Sequence, residues 1–209
     1  MKILVACEES QAVTIELRRL GHEAYSCDIE PCSGGFPEWH LQVDALELLK
    51  MRWDMLIAHP PCTFLTAAGA QRLHPHKGET DAARLEKGRE AAKFFMAFYN
   101  ADIPKIAVEN PVPLTEFGLP KYSQIIQPYM FGEPYQKRTC LWLKGLPPLT
   151  PTDVVTPTAY WVQGQGKRGR GHPGGHRSPK LRSKTFQGIA RAMAEQWAGP
   201  ANPERSDSE

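Results

Sequence analysis

Residues 53–66, WDMLIAHPPCTFLT, decide the fold because an apolar strand runs directly into a stiff turn. The apolar residues up to Ala58 predict a buried strand. Pro60 and Pro61 then fix two φ angles and remove two backbone donors, so the strand must end there. In an α/β sheet, ligands bind beyond the carboxyl ends of the strands. The turn therefore holds the next side chain, the thiol of Cys62, toward the cleft where a ligand would bind.

Similar apolar runs lie on both sides of this stretch. They predict strands over residues 2–7, 22–28, 105–110 and 138–145. Helical spacing predicts helices over residues 10–21, with Ser10 as N-cap and Gly21 as the stop, and over 80–101 and 184–197. Residues 43–49 and 122–132 are expected to form shorter helices. Strands that alternate with helices predict an α/β fold with an open, mostly parallel sheet and helices on both faces.

The composition indicates one soluble domain. The chain has 209 residues, 41% of them hydrophobic, and a net charge of +2, so attraction to nucleic acid would need local clusters of basic residues. No apolar segment is long enough to span a bilayer, and the amino terminus lacks a signal-peptide pattern. Five cysteines without tight pairing are typical of a reducing cytoplasm. We therefore expect a cytoplasmic protein that does not associate with membranes.

Cys62 has two interpretations. A lone cysteine near a strand end is often a small, buried and inert side chain. The two prolines before it favour the second interpretation, because a thiol held rigidly in a cleft becomes a nucleophile once it is a thiolate.

Glu109, in the stretch VENP, also ends a buried strand. A carboxylate in that place is costly unless another group pairs with it. One interpretation is a loop-closing hydrogen bond with Asn110. The other is a catalytic carboxylate beside Cys62, and Pro111 stiffens this strand exit as Pro60 and Pro61 stiffen the first.

Three motifs in this order, PPC, VENP and GEPYQKR, resemble those of the cytosine-C5 methyltransferase family, especially its small phage and prophage members. The resemblance implies a Rossmann-like fold of the kind that uses S-adenosylmethionine, with DNA as the partner. It also implies a role in phage DNA modification or restriction-modification, in the cytoplasm of a bacterial host cell. Most DNA methyltransferases of this family carry a larger target-recognition region than this chain has room for.

The resemblance assigns roles to residues at the matching motifs. Cys62 would add to cytosine C6, Glu109 would hold N3 and the exocyclic amine, and Arg138 would contact the base or the glutamate. Pro61, Asn110 and Gln136 would contact the substrate. For Gln136 and Arg138 the alternative is an exposed strand edge. In duplex DNA the target base would have to leave the stack to reach the cysteine.

The same resemblance implies S-adenosylmethionine as the cofactor, bound over the first strands. Its candidate ligands are Glu8, Ser10, Asp28, Ile29, Asp44 and Pro60. An acidic residue at the end of the second strand suits ribose hydroxyls, whereas Asp44 is equally suited to cap a following helix. The first loop, ACEESQ, departs from the family because it contains no glycine.

The predicted organisation has four parts. A catalytic core spans residues 1–145, a short basic insert rich in Gly and Pro spans 146–182, a helix completes the core over 183–198, and a disordered tail follows over 199–209. Lys167, Arg168 and Arg170 of the insert would track phosphates, or belong to a solvated loop. Because the insert is short, we expect a short recognition sequence or a partner protein that aids recognition. No Cys-x-x-Cys pair is present, so we expect no metal.

Two other functions fit the sequence. The small insert favours a free cytosine nucleotide or RNA as the methyl acceptor. The first loop without glycine favours a catalytically weak module that binds nucleic acid.

Overall fold

The computed structural model describes residues 1–161 and 183–201. Its central sheet is formed by seven strands: β1 (Lys2–Ala6), β2 (Glu23–Asp28), β3 (His40–Gln42), β4 (Met55–Ala58), β5 (Lys105–Pro111), β6 (Gln124–Ile126) and β8 (Thr139–Lys144). Their order across the sheet is β3–β2–β1–β4–β5–β8–β6. The first five are mutually parallel, and β8 is antiparallel to both of its neighbours. Two short strands, β7 (Tyr135–Gln136) and β9 (Ala159–Tyr160), pair separately.

Helices cover both faces of the sheet. They are α1 (Ala12–Arg19), α2 (Ala45–Leu48), α3 (Ala70–Leu73), α4 (Ala82–Tyr99) and α5 (Gln187–Trp197). Side chains from α1 and α5 pack on one face, where alternate strand residues such as Ile3 and Ile57 are buried. Side chains from α2 and α4 pack on the other face, against Leu4 and Leu56. The predicted α/β fold with a mostly parallel sheet is confirmed.

The order of the strands reverses at β1, which lies between β2 and β4. At this point the connection after β1 passes over one face of the sheet and the connection after β4 passes over the other. A crevice forms between such connections at the carboxyl ends of the strands. The residues that follow β1, β2, β4 and β5 therefore belong to one candidate site.

Three local predictions differ from the structure. Helix α1 begins at Ala12 with Gln11 at the N-cap, so Ser10 does not cap it. Residues 122–132 form β6 and a 3₁₀ turn instead of a helix, because Ile125 and Ile126 pair with β8. Strand β3 was not predicted, since three residues at a sheet edge have too few apolar positions to show a period.

The start of the predicted insert lies against the core. Thr150 and Gln196 exchange two hydrogen bonds of 2.8 Å, and the Trp197 indole donates to the carbonyl of Pro147 at 2.9 Å. These contacts attach residues 146–161 to α5. Residues 162–182 and 202–209, and with them Lys167, Arg168, Arg170 and most of the predicted tail, lie outside the described residues.

None of the described helices is both long enough and apolar enough to cross a membrane.

Candidate active site

The cysteine loop, residues 60–66, follows the end of β4 after His59. The His59 backbone N–H donates to the carbonyl of Ala6 at 2.9 Å, which continues the pairing of β4 with β1 for one more residue. Pro60 is buried and Pro61 is exposed. The Asn110 side chain, itself fully buried, donates from Nδ2 to the carbonyl of Pro60 at 2.9 Å. The start of the cysteine loop is thus attached to the end of β5 by the buried side chain of Asn110.

The segment that follows Cys62 is attached to the same region. The Cys62 carbonyl accepts from the backbone of Leu65 and of Thr66, both at 3.1 Å, and so closes a turn. The Leu65 carbonyl then accepts from the Leu114 backbone at 2.8 Å, and the Ala67 backbone donates to the Val112 carbonyl at 2.9 Å. The cysteine loop, residues 60–66, is therefore fixed at both ends to the chain that leaves β5. The half-buried Cys62 thus lies in a loop that is attached to the chain leaving the strand of Glu109.

Replacing Asn110 by alanine should destabilise the protein. The substitution leaves the Pro60 carbonyl without its buried donor, and such a loss costs about 1–3 kcal/mol. Urea unfolding measures the effect, with Asn100→Ala as control because Asn100 is exposed at the end of α4. Equal free energies of unfolding for the two variants would contradict the assigned role of Asn110.

Glu109 lies beside His59 because of the strand register. Ala58 of β4 pairs with Val108 of β5, so the next residues on each strand are also neighbours. The His59 Nδ1 atom is 3.3 Å from Glu109 Oε2, and their side chains are 9% and 16% exposed. Burial raises the pKa of the Glu109 carboxyl, but the hydrogen bond from His59 and the positive charge of Lys137 outweigh it. The net effect is a pKa below the ordinary value, so Glu109 is ionised at neutral pH.

The lowered pKa of Glu109 predicts how its contribution to stability depends on pH. A group whose pKa falls on folding stabilises the protein above its unfolded pKa, here 4.5, and loses that effect as the pH falls through its folded pKa. We expect wild type to be more stable than Glu109→Gln at pH 7, with a difference that shrinks below about pH 4.5. Urea unfolding of both proteins over this range tests it. A difference in stability that stayed constant or grew at lower pH would contradict this prediction.

The third motif contributes a cation besides Arg138. Gln136 is half-buried in β7, where its carbonyl accepts from the Trp161 backbone at 2.9 Å. Arg138 is exposed, and its charge acts on the buried thiol of Cys140. The charge of Lys137, together with His59, lowers the pKa of Glu109. Cys140 lies in the core opposite Asn110.

Glu8 takes part in the start of α1. Its carboxylate accepts hydrogen bonds from the Val13 backbone at 2.7 Å, the Thr14 backbone at 3.3 Å and the Thr14 hydroxyl at 2.8 Å. This buried carboxylate therefore satisfies amides that the first turn of a helix leaves unpaired. Burial raises the pKa of Glu8, while the positive charge of His59 and the three hydrogen bonds oppose the rise.

The loop between β1 and α1 makes its turn without glycine. Cys7 and Gln11 both adopt left-handed backbone conformations, with φ angles of 58° and 59°. Such a conformation costs roughly 1–2 kcal/mol at a residue other than glycine. The Gln11 side chain offsets this cost through hydrogen bonds to Phe36 N–H (3.1 Å), Phe36 C=O (2.8 Å) and the Ser26 hydroxyl (3.2 Å). Gly34 passes so close to Gln11 that a Cβ there would lie 2.5 Å from its side chain.

The cofactor candidates Asp28, at the end of β2, and Asp44, after β3, lie near one thiol, that of Cys7. Asp28 and Asp44 both raise the pKa of the Cys7 thiol, with burial as the larger cause, so the two carboxylates lie within electrostatic range of one side chain. Asp44 caps α2 by accepting from the Leu46 backbone at 2.9 Å, and its side chain remains exposed. Ile29, directly after Asp28, is 72% exposed. Carboxylates beside an exposed apolar side chain suit a ligand that has hydroxyls, a positive charge and a flat ring.

The sequence alone does not reveal the two residues that control Glu109. His59 directly precedes the proline turn, and its partnership with Glu109 depends on the register of β4 and β5. Lys137 carries no signal of its own in the sequence, because the resemblance gives the role of the cation to Arg138.

No protein-family model matches the sequence, and no curated protein matches it. Several solved structures are similar. One, described as a DNA modification methyltransferase encoded within a prophage of E. coli, has 14% identity and a TM-score of 0.45 over 74% of this chain and 51% of its own. A mutant of Spodoptera frugiperda DNMT2 has 15% identity and a TM-score of 0.41 over 75% and 57%. The Dnmt2 methyltransferase of S. pombe has 12% identity and a TM-score of 0.40 over 70% and 50%.

This chain thus matches between 50% and 57% of the length of each of these proteins. At such identities and TM-scores the likeness does not bear on substrate or activity. The chain is similar in structure, at low identity, to these methyltransferases.

Proposed function

We propose that this protein transfers a methyl group from S-adenosylmethionine to C5 of cytosine in DNA, through a covalent bond between Cys62 and C6 of the base. One observation carries the proposal. The cysteine loop is attached by Asn110 and by backbone hydrogen bonds to the end of β5, where a half-buried and ionised Glu109 lies. A thiol on an attached loop and a carboxylate at the neighbouring strand end suit nucleophilic addition to a ring with a nitrogen that must be protonated.

The chain's own residues divide the work in the following way. The Cys62 thiolate attacks C6, and the C5=C6 electrons become available at C5. Glu109 holds the exocyclic amine and N3, and Lys137 adds positive charge beside that carboxylate. Fixed positions for both groups lower the entropic cost of the addition. We propose Pro61, in the proline turn, and Gln136 and Arg138, in the third motif, as contacts to the base and its neighbours.

S-adenosylmethionine supplies the methyl group as an electrophile. We propose that Asp28 binds the ribose hydroxyls, Ile29 packs against the adenine ring and Asp44 accepts from the adenine amine. The exposure of Ile29 and Asp44 and the nearness of both aspartates to Cys7 support this placement. We place Ser10 and Pro60 at the methionine end, while Glu8 shapes that end by fixing the first turn of α1. Two acidic side chains also favour the positive charge of the donor.

DNA is the proposed acceptor, and Lys167, Arg168 and Arg170 would meet its phosphates. A short target sequence, or recognition aided by a partner protein, follows from the small size of residues 146–182. A place in phage DNA modification or restriction-modification is part of the same proposal. The second candidate, a free cytosine nucleotide or RNA, is favoured by the same short segment.

The test uses tritiated S-adenosylmethionine with double-stranded DNA, single-stranded DNA, RNA and dCMP as separate acceptors. Label in DNA cytosine, absent with Cys62→Ala, would support the proposal. Label confined to dCMP or RNA would identify that molecule, and not DNA, as the methyl acceptor. No label in any acceptor, together with no binding of the cofactor, would reject the methyltransferase and leave a nucleic-acid-binding module.

A further inference from the structure

His59 lies in the candidate site, and one of its two ring nitrogens makes a hydrogen bond. Its side chain is 9% exposed and follows β4 directly, one residue before the proline turn. Nδ1 faces Glu109 Oε2 at 3.3 Å. The other ring nitrogen, Nε2, is buried and has no hydrogen-bond partner within residues 1–161 and 183–201. Packing alone would be served by an apolar residue, so a buried imidazole needs another explanation.

The proposed reaction needs a proton that Glu109 does not hold. When Cys62 adds to C6, electron density moves onto the ring and N3 takes up a proton. The pKa of Glu109 is lowered, so in the free protein its carboxyl group is ionised. A carboxylate without a proton can position N3 but cannot protonate it. The proton must therefore reach Glu109 from a neighbouring group.

His59 is the titratable group in hydrogen-bond contact with Glu109. Among the described residues, the charged and titratable groups that interact with this pair include Glu8, after β1, Lys137, after β7, and the thiol of Cys140 in β8. The positive charge of His59 opposes the rise that burial causes in the pKa of Glu8 and helps to lower the pKa of Glu109, so the imidazole acts on both carboxylates.

We propose that His59 is a positioning residue that orients Glu109 and passes it the proton that cytosine N3 receives. This inference rests on the proposed function. As the Cys62 sulfur forms its bond to C6, the C5=C6 π electrons move into the ring. The His59 imidazolium gives its proton to the Glu109 carboxylate, and N3 takes this proton from Glu109. C5 then forms a bond to the methyl carbon, whose bond to the sulfonium sulfur breaks with its electrons on sulfur.

The cycle closes without any further reactant. A base removes the C5 proton, the C5–H electrons restore the C5=C6 bond, and the C6–S bond breaks to release the Cys62 thiolate. N3 returns its proton to the Glu109–His59 pair. The pair therefore ends with the protons with which it began, and the net change is exchange of the C5 proton for a methyl group.

The test compares His59→Asn with His59→Leu. The Asn amide can donate a hydrogen bond to Glu109 from nearly the position of Nδ1, but it cannot take up and release a proton. Leu fills the space, but it can neither donate a hydrogen bond nor transfer a proton. We expect His59→Asn to keep KM within about twofold and to lower kcat by about 10²-fold, the lower end for general acid catalysis. The alkaline limb of the kcat–pH profile, where the pair loses its proton, should disappear. Either kcat close to wild type, or an alkaline limb that persists, would overturn the proposal.

A second readout is independent of activity. In ¹³C NMR titration, the pKa of the Glu109 carboxyl should rise in His59→Asn and rise further in His59→Leu, because the histidine lowers it in wild type. An unchanged titration of Glu109 in both variants would overturn the inference even in a protein without activity. Absence of transfer by wild type, with the titration shifted as expected, would instead reject the proposed function and leave the His59–Glu109 pair in place.

Discussion

Cys62→Ala is expected to lower the rate of methyl transfer to DNA by at least about 10³-fold while leaving the fold intact. Without the sulfur, no bond forms to C6 and C5 remains too weak a nucleophile to accept the methyl group. The side chain is half-buried in a loop whose shape depends on backbone hydrogen bonds of Leu65, Thr66 and Ala67. None of those bonds requires the thiol. Filter binding of tritiated DNA and thermal unfolding of the same preparations give the two measurements.

Cys32→Ala is the matched control for this prediction. Cys32 is also half-buried in a loop, but it follows β2 and lies outside the cysteine loop. Its variant should retain wild-type transfer, which would show that loss of a thiol alone is not harmful. If Cys62→Ala retained more than about a tenth of the wild-type activity, the proposal that this residue adds covalently to C6 would be wrong.

Glu109→Gln should produce the second largest loss, about 10²–10⁴-fold in kcat. Glutamine preserves the size of the side chain and can still accept a hydrogen bond from His59. It cannot deliver a proton to N3, and it removes the negative charge that faces Lys137. Because the base is still bound through the remaining contacts, we expect KM to change less than kcat. Steady-state kinetics with saturating S-adenosylmethionine separates the two constants.

Glu90→Gln is the control for this loss, since Glu90 lies exposed on α4. It should match wild type in both constants. A Glu109→Gln enzyme with unchanged kcat and a raised KM would mean that Glu109 only binds the base. The proton would then have to come from elsewhere, and the role given to His59 would also fail.

The long elements of the fold could be predicted because each has a complete hydrophobic period. The apolar run of β4 and the phenylalanines of α4 are examples, and the strands around β4 follow from the same pattern. Short elements could not be predicted. Strand β3 has three residues and β6 has three, so their identity depends on pairing with β2 and β8. Pairing partners come from tertiary structure, which a local pattern does not contain.

The candidate site could be predicted only in part, for a similar reason. Cys62, Glu109 and Asn110 stand next to prolines at the ends of apolar runs, a pattern that is visible in the sequence. The partners that control them come from other strands. His59 acts on Glu109 through the register of β4 and β5, and the capping of α1 by Glu8 depends on the left-handed turn at Cys7 and Gln11.

The most direct test of the account traps the bond between Cys62 and cytosine C6. DNA of random sequence is synthesised with 5-fluorocytosine, whose C5 fluorine cannot leave as a proton does, and is incubated with the protein and S-adenosylmethionine. The account predicts a stable protein–DNA adduct that carries one added methyl group, mapped by mass spectrometry to Cys62 and missing from Cys62→Ala. A folded protein that binds the cofactor but forms no adduct, or an adduct at any other cysteine, would contradict it.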